Sequence, residues 1–193
     1  RLASGAVRLQ PITMLTGQAA GALAALSVKQ NVNPAQVKVI DVQKVLLKSK
    51  SVLVPYTDFN ESHPYFYDMQ LISLRGIMIG YSILNFGASD SINRGQVSVL
   101  ITRSFGYKPI STSVPTFTDV PLSNIYNQYI ESMYKNGFTS GCLANPKKFC
   151  PNDPITNAQL AVFAQKGWST LNPSIGMFAP RTQTYTDVPP THW

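Results

Sequence analysis

The sequence predicts a mainly α-helical protein, in which an Ala- and Gly-rich helical segment precedes tandem helix-turn-helix modules in a compact pseudo-repeat bundle. Three observations carry this prediction. An uncharged, Ala-rich run occupies residues 9–28, a four-residue motif recurs after residue 55, and two later segments begin with helix-capping signals. Charged residues make up only 13% of the chain, which argues against a coiled coil or a charged disordered tail.

The first element is the uncharged run of residues 9–28, for which three interpretations stay open. Its length allows a membrane span, although Gln10, Pro11 and Gln18 interrupt the apolar residues. A signal segment is the second interpretation, because Arg8 precedes the run and small residues follow it. The third, which we favour, is a buried helix that starts after Pro11. Its small residues would let another backbone or a flat ligand approach closely.

A family resemblance rests on the stretch RLQPITMLTGQAAG, from Arg8 to Gly21. It resembles the C-terminal signature of FAD-dependent oxidoreductases, in which a Gly-Gln-Ala-Ala-Gly segment opens a long helix whose N-terminal end faces the flavin. Free N–H groups and a positive dipole end suit an electron-rich ring or a phosphate. The resemblance covers residues 1–55, including a second helix from Asp41 to Lys48. The residues that it places at the cofactor are Arg8, Gly17, Gln18, Ala19 and Gly21.

The cofactor that this resemblance implies is FAD, in a larger parent protein. No Gly-x-Gly-x-x-Gly follows a strand-like run, so the dinucleotide fingerprint is absent from the sequence. We therefore expect residues 1–55 to be the C-terminal tail of an oxidoreductase-like domain that cannot bind FAD alone.

The rest of the chain is organised by a repeat that begins with an aromatic-Thr-Asp-apolar motif. The motif stands at Tyr56–Phe59, Phe117–Val120 and Tyr185–Val188, at separations of 61 and 68 residues. Apolar residues seven, eleven and fourteen positions after the first two aspartates predict one buried stripe on a helix in each copy. These residues are Tyr65, Met69 and Ile72 in the first copy and Tyr126, Ile130 and Met133 in the second.

The second half of each copy matches at an offset of 63 residues and predicts a capped helix. Thr156-x-x-Gln159 is a capping box and Asn93-x-x-Gln96 approximates one, so both helices should start at the same place. The predicted apolar stripes are Val97, Leu100, Ile101 and Phe105 in the first copy and Leu160, Phe163, Ala164 and Trp168 in the second. The Ser-, Thr- and Pro-rich stretches at 108–116 and 169–184 are interpreted as exposed linkers.

This combination of motifs resembles the S-layer homology module. Residues 56–108 and 117–168 correspond to two modules, and residues 185–193 to the start of a third. The resemblance implies a pseudo-threefold helical assembly that attaches exported proteins non-covalently to cell-wall polysaccharides, often acidic ones. The residues assigned to glycan binding on this basis are Asp58, Arg94, Asp119, Asp187 and Trp193.

Two of these assignments have structural alternatives. The family's Thr-Arg-Ala-Glu-like stretch keeps its cation at Arg94, whereas the second copy has Asn157, which casts doubt on ligand binding by that copy. Arg94 is otherwise an ordinary surface arginine in a first helical turn. The aspartates are otherwise acceptors of local backbone N–H bonds, an interpretation that we favour. Tyr65 and Tyr126 offer flat apolar surface to a sugar ring, although Tyr126 fits the core better.

The cysteines, Cys142 and Cys150, bracket a hairpin-like loop in the second copy. With no histidine nearby they are too few for a structural zinc site. A local disulfide of this loop length stabilises a fold by about 2.5 kcal/mol on the loop-entropy account, and it implies an oxidising compartment. Two free thiols in a cytosolic loop are the alternative.

Charge and residue inventory exclude several function classes. The net charge of +7 lies mostly in residues 1–55, which carry +6, and no Lys/Arg run or aromatic stacking pattern indicates nucleic-acid binding. No catalytic triad, metal-ligand cluster or isolated carboxylate pair can be assembled from the two histidines and nine acidic residues. We predict no catalytic and no metal-binding residues in this chain.

The sequence as a whole predicts the C-terminal part of a larger exported bacterial protein. Residues 1–55 would end an FAD-dependent oxidoreductase, and the modules that follow would hold it at the cell surface by binding cell-wall polysaccharide. In the alternative hypothesis the modules are structural or protein-interaction units of a secreted, non-enzymatic surface protein, with residues 9–28 as a signal or membrane segment.

Overall fold

The protein is mainly α-helical, as the sequence predicts. A computed structural model describes residues 10–174, with side chains from residue 13 onward. The α-helices are α1 (Gln10–Gln30), α2 (Val39–Lys48), α3 (Phe66–Leu74), α4 (Arg94–Ser104), α5 (Asn127–Lys135) and α6 (Asn157–Leu171). A 3-10 turn (Pro34–Gln36) follows α1, and strands β1 (Leu143–Ala144) and β2 (Lys147–Lys148) form an antiparallel hairpin.

The chain forms two compact units, Arg1–Asp90 and Ser91–Trp193. The division falls inside the first sequence repeat, between its two predicted halves. In the first unit α1 packs against α2, and α2 against α3; in the second, α4 packs against both α5 and α6. The motif that starts at Tyr185, with all of residues 185–193, lies outside the described residues.

Helix α1 confirms the predicted helix but not its predicted burial. It ends where Asn31 takes a left-handed backbone (φ 52°) and the Ser27 hydroxyl donates to the Val32 carbonyl at 2.6 Å. Met14 and Leu15 are 74% and 60% exposed. Among the described residues the prediction of a buried helix is wrong, because α1 packs against α2 and the 3-10 turn and most of its other side chains are exposed. Among the described residues, no helix combines the length and hydropathy that crossing a membrane requires.

The core of the first unit surrounds the first copy of the motif. Its buried members are Tyr56, Phe59, Phe66, Met69 and Phe86. Gln70 is buried beside them, and its side chain accepts from the N–H groups of Leu53 and Val54 and donates to the Val54 carbonyl. Tyr65 does not join the buried stripe: it stands at the N-cap position of α3, makes no capping hydrogen bond with its side chain, and is 64% exposed.

The second unit repeats this construction around the second copy. One cluster joins Phe117, Val120, Ile130 and Phe149, and another joins Val97, Ile101, Met133, Phe138 and Phe163. Glu131, 61 residues after Gln70, is also buried, and its carboxylate accepts from the backbone N–H and hydroxyl of Thr116. Both buried polar side chains hold the backbone just ahead of their motif.

The capped helices start where the sequence predicts. Asn93 caps α4 and Thr156 caps α6, each through a capping box with the glutamine three residues later. In α6, however, the predicted apolar stripe is largely solvent-exposed: Leu160 is 39% and Trp168 51% exposed, and Phe163 is buried. The stripe prediction fails there because α6 packs on one side, against α4, within the described residues.

Candidate functional site

A groove of about 550 Å³ in the second unit brings several polar side chains together around one opening. It lies between the turn that follows α5 and the first turns of α6, with one residue from the start of α4. The residues that line it are Arg94, Phe138, Thr139, Ser140, Gly141, Cys142, Thr156, Ala158, Gln159, Val162, Phe163 and Lys166. Two of them are cations and none carries a carboxylate.

Arg94 reaches this groove because the N-terminal end of α4 is tied to the second copy. Its backbone N–H donates to the Asp153 carbonyl at 2.9 Å, and the next N–H, of Gly95, donates to the Pro151 carbonyl at 2.8 Å. Its side chain is only 5% exposed. The interpretation of Arg94 as an ordinary surface arginine is therefore wrong.

The Arg94 guanidinium is held in a defined plane. Its Nε–H donates to the Phe149 carbonyl at 2.9 Å, Nη1 donates to Gln159 Oε1 at 3.4 Å, and Cζ lies 4.9 Å from the centre of the Phe149 ring. Two of the five N–H donors are thus engaged, and the described part of the chain supplies no hydrogen-bond partner for the other three.

Burial lowers the pKa of Arg94 from its ordinary range, while the nearby charges of Asp153 and Asp119 oppose that shift. An arginine keeps its charge at neutral pH even so. The groove therefore presents a permanent, planar cation with three free N–H donors.

Lys166 and the turn after α5 complete the polar lining. The Lys166 ammonium donates to the Phe138 carbonyl at 3.2 Å, and the Thr139 hydroxyl accepts from the Gly141 N–H at 3.0 Å. Neither Lys166 nor Thr139 was predicted from the sequence to be a site residue. A helical-face count could have found Lys166, because it lies three residues after Phe163 and seven after Gln159. No local signal marks the turn.

The motif aspartates serve the backbone in both units. Asp58 accepts from the N–H groups of Phe86, Gly87 and Ala88 at 2.7–3.1 Å, and Asp119 from those of Phe149 and Cys150 at 2.9 and 2.7 Å. The expectation of backbone N–H partners is confirmed, but the partners lie 28–31 residues downstream and are not local. Neither aspartate lines the groove.

We expect the stability of the first unit to fall as the pH drops below about 4. Burial alone would raise the pKa of Asp58, but hydrogen bonds from Phe86, Ala88 and Gly87 outweigh it and hold that pKa below its ordinary value of 3.8. The stabilisation is present above the unfolded-state pKa and is lost as the pH falls through the folded-state pKa. Because the carboxylate is exposed, the effect should be modest.

Thermal unfolding of the wild type and of Asp58→Asn between pH 6 and pH 2 measures this contribution. The variant, which cannot ionise, should lose less stability over the acid range. If the melting temperatures of the two proteins fall equally with pH, the Asp58 carboxylate does not contribute to the pH dependence of stability.

The predicted disulfide is present between Cys142 and Cys150. It closes the base of the β1–β2 hairpin, in which Leu143 pairs with Lys148 and Ala144 with Lys147. Cys142 also lines the groove, so the cross-link stands at its rim.

The residues predicted to lie at a flavin sit along the exposed side of α1. Gly17, Gln18 and Gly21 are exposed and Ala19 is half-buried, and a Cβ atom on either glycine would meet nothing within 4 Å. The segment does not open the helix, because α1 begins at Gln10. Only the first four N–H groups of a helix are free, so the N–H donors expected of these residues are engaged. Arg8, Asp187 and Trp193 lie outside the described residues.

Comparison with known proteins gives two findings. Residues 1–46 match the sequence model of the FAD dependent oxidoreductase family. The chain is also 29% identical, over 133 residues, to an endoglucanase of Bacillus sp. (strain KSM-635). That match covers 67% of this chain but 13% of the endoglucanase, so the chain spans a small part of its relative. No solved structure matches the chain.

Proposed function

We propose that the part of the chain after residue 55 is an envelope-anchoring region of S-layer-homology type, which binds an acidic cell-wall polysaccharide. The groove around Arg94 carries this proposal. The anchored protein would be an FAD-dependent oxidoreductase, whose C-terminal portion is residues 1–46, the stretch that matches that family.

The chemistry of the groove favours an acidic sugar. Arg94 offers a fixed fork of donors suited to a carboxylate, and Lys166 adds a second cation on the same groove. Hydroxyls from Thr139, Ser140 and Thr156 and the amide of Gln159 can bond to sugar hydroxyls. The lining itself contains no carboxylate, and the nearby charges of Asp153 and Asp119 act on Arg94 from outside the lining.

The first copy and the second copy build this site together. Arg94 belongs to the first copy, and every other lining residue belongs to the second. The lack of an arginine at Asn157 therefore does not disable the groove, because its cation comes from the preceding copy. This arrangement supports a role for the second copy in binding.

The two comparisons support a region that is separable from catalysis. The match to the endoglucanase is longer than residues 1–55, so more than half of it lies beyond the oxidoreductase-like segment. A segment shared by an endoglucanase and by a chain that starts like an oxidoreductase is better explained as an attached module than as part of either reaction.

The described residues do not themselves fit a complete FAD site. At Gly17 and Gly21 an added Cβ atom would meet nothing within 4 Å among the described residues, and the N–H groups of both glycines lie within the helix. We therefore assign FAD to the parent domain only, where this face would pack against residues from elsewhere in that domain.

Retention of the whole 193-residue chain on purified Bacillus cell-wall sacculi tests the anchoring proposal. We expect Arg94→Ala to weaken retention at least about tenfold, because a desolvated charge that pairs with an anion is lost. Sacculi stripped of anionic polysaccharide with hydrofluoric acid should retain neither protein.

Arg103→Ala is the matched control, since it removes the same charge from the exposed C-terminal turn of the same helix. Lys166→Gln tests the same groove at a residue outside the core, so the proposal can still be decided if the Arg94 variant misfolds. It should also weaken retention. Equal retention of all four proteins, or none by the wild type, would favour the alternative of a structural or protein-interaction module.

A further inference from the structure

Two of the groups that hold the Arg94 guanidinium, the carbonyl and the ring of Phe149, belong to the residue next to a cross-linked cysteine. Phe149 is fully buried and accepts from Arg94 Nε–H at 2.9 Å. Cys150, which follows it, is joined to Cys142 on the groove rim. The disulfide thus lies one residue from the support of the groove's central cation.

The backbone at Cys150 takes a conformation that side chains disfavour. Its φ is 59°, in the left-handed region where a non-glycine residue is uncommon. At the equivalent position of the first copy, 63 residues earlier, Gly87 has a φ of 82°. The first copy therefore uses a glycine for this turn, whereas the second uses a cross-linked cysteine.

The two strands of the hairpin contribute little by themselves to holding this turn. Its strands contain two residues each, and so short a hairpin is marginally stable by itself. The Asp119 carboxylate binds the N–H groups of Phe149 and Cys150 from one side, and the Thr118 N–H donates to the Lys147 carbonyl. The disulfide is the covalent tie between the two arms.

We propose that the Cys142–Cys150 disulfide is a positioning element of the binding groove. By holding the left-handed turn at Cys150, it fixes the carbonyl and ring of Phe149 and through them the plane of the Arg94 guanidinium. The part of this inference that concerns ligand binding rests on the proposed function, whereas the effect on Arg94 does not.

The test uses the variant Cys142→Ala/Cys150→Ala, which removes the cross-link but keeps a side chain, and with it the backbone penalty, at the left-handed position. We expect retention on the sacculi to fall about tenfold, within the range that couplings between contacting groups span. Combined with Arg94→Ala, the cysteine substitutions should cause no further loss. Unchanged retention, or losses that add fully, would overturn the proposal.

The Arg94 Nε–H resonance in a ¹⁵N NMR spectrum gives a second readout, independent of any ligand. In the wild type its hydrogen bond to Phe149 should protect it from exchange with solvent, and the cysteine variant should lose that protection while keeping its helical circular dichroism. If the wild type does not bind sacculi, the proposed function fails, but this signal still decides the inference. Retained protection would overturn it.

If the cysteine variant does not fold, the same test can be made on the wild type by reducing its disulfide. A dithiol reduces the disulfide to two thiols and becomes a cyclic disulfide itself. The same loss of Nε–H protection should follow, and reoxidation should restore it. Protection that is unaffected by reduction would again contradict the proposal.

Discussion

Replacing Phe149 by alanine should lower the free energy of unfolding by about 3–5 kcal/mol, the usual cost of removing a buried phenylalanine. The side chain is fully buried, packs with Phe117 at a ring-centre distance of 5.6 Å, and lies beneath the Arg94 guanidinium. Its loss leaves a cavity in the cluster around the second motif and removes a cation–π contact. Urea unfolding followed by circular dichroism measures the change.

The repeat provides a matched comparison for this substitution. Phe86 occupies the equivalent position in the first unit, is 4% exposed and packs edge-on against Tyr56 and Phe59. Phe86→Ala should have a similar cost, whereas Leu143→Ala, at a site 47% exposed in the hairpin, should change stability by less than about 0.5 kcal/mol. A loss below about 1 kcal/mol for Phe149→Ala would contradict the packing described here.

Replacing Asp119 by alanine should cost about 2–4 kcal/mol, because two backbone N–H groups lose a charged acceptor. Those groups belong to Phe149 and Cys150, at 2.9 and 2.7 Å from the carboxylate. The N–H of Phe149 then lies beside the core without a partner. Chemical unfolding of the two proteins at neutral pH gives the difference.

Asp119→Asn separates the two hydrogen bonds, since an amide keeps one acceptor oxygen, and it should lose about half as much stability. Asp68→Ala removes the same charge from an exposed site in α3 and serves as the control. If Asp119→Ala and Asp68→Ala are equally stable, the carboxylate does not clamp the segment.

Local patterns in the sequence located the helices and the cross-link. The capping boxes at Asn93 and Thr156 place the starts of α4 and α6, because a cap depends on groups three residues apart. The disulfide follows from two cysteines at either end of one short loop. These features involve residues close in sequence, so their partners can be named without knowledge of the fold.

Local sequence patterns did not predict the contacts between segments that are distant in sequence. Asp58 and Asp119 bind backbone groups far downstream, and Gln70 and Glu131 bind backbone groups far upstream. These partners depend on which segments of the chain lie next to each other in the fold. Apolar periodicity identifies a stripe but not what covers it, which is why Trp168 is exposed although its stripe was predicted to be buried.

The sequence by itself determined the helical class, the starts of α4 and α6 and the hairpin disulfide of this protein, since each arises from interactions within a few residues. Only the tertiary structure decided that the Arg94 side chain lies against the second copy, where it lines one groove with Lys166. Three segments far apart in the chain must close together to build that site, and the free energy of bringing them together depends on the packing of the whole unit, which no local pattern records.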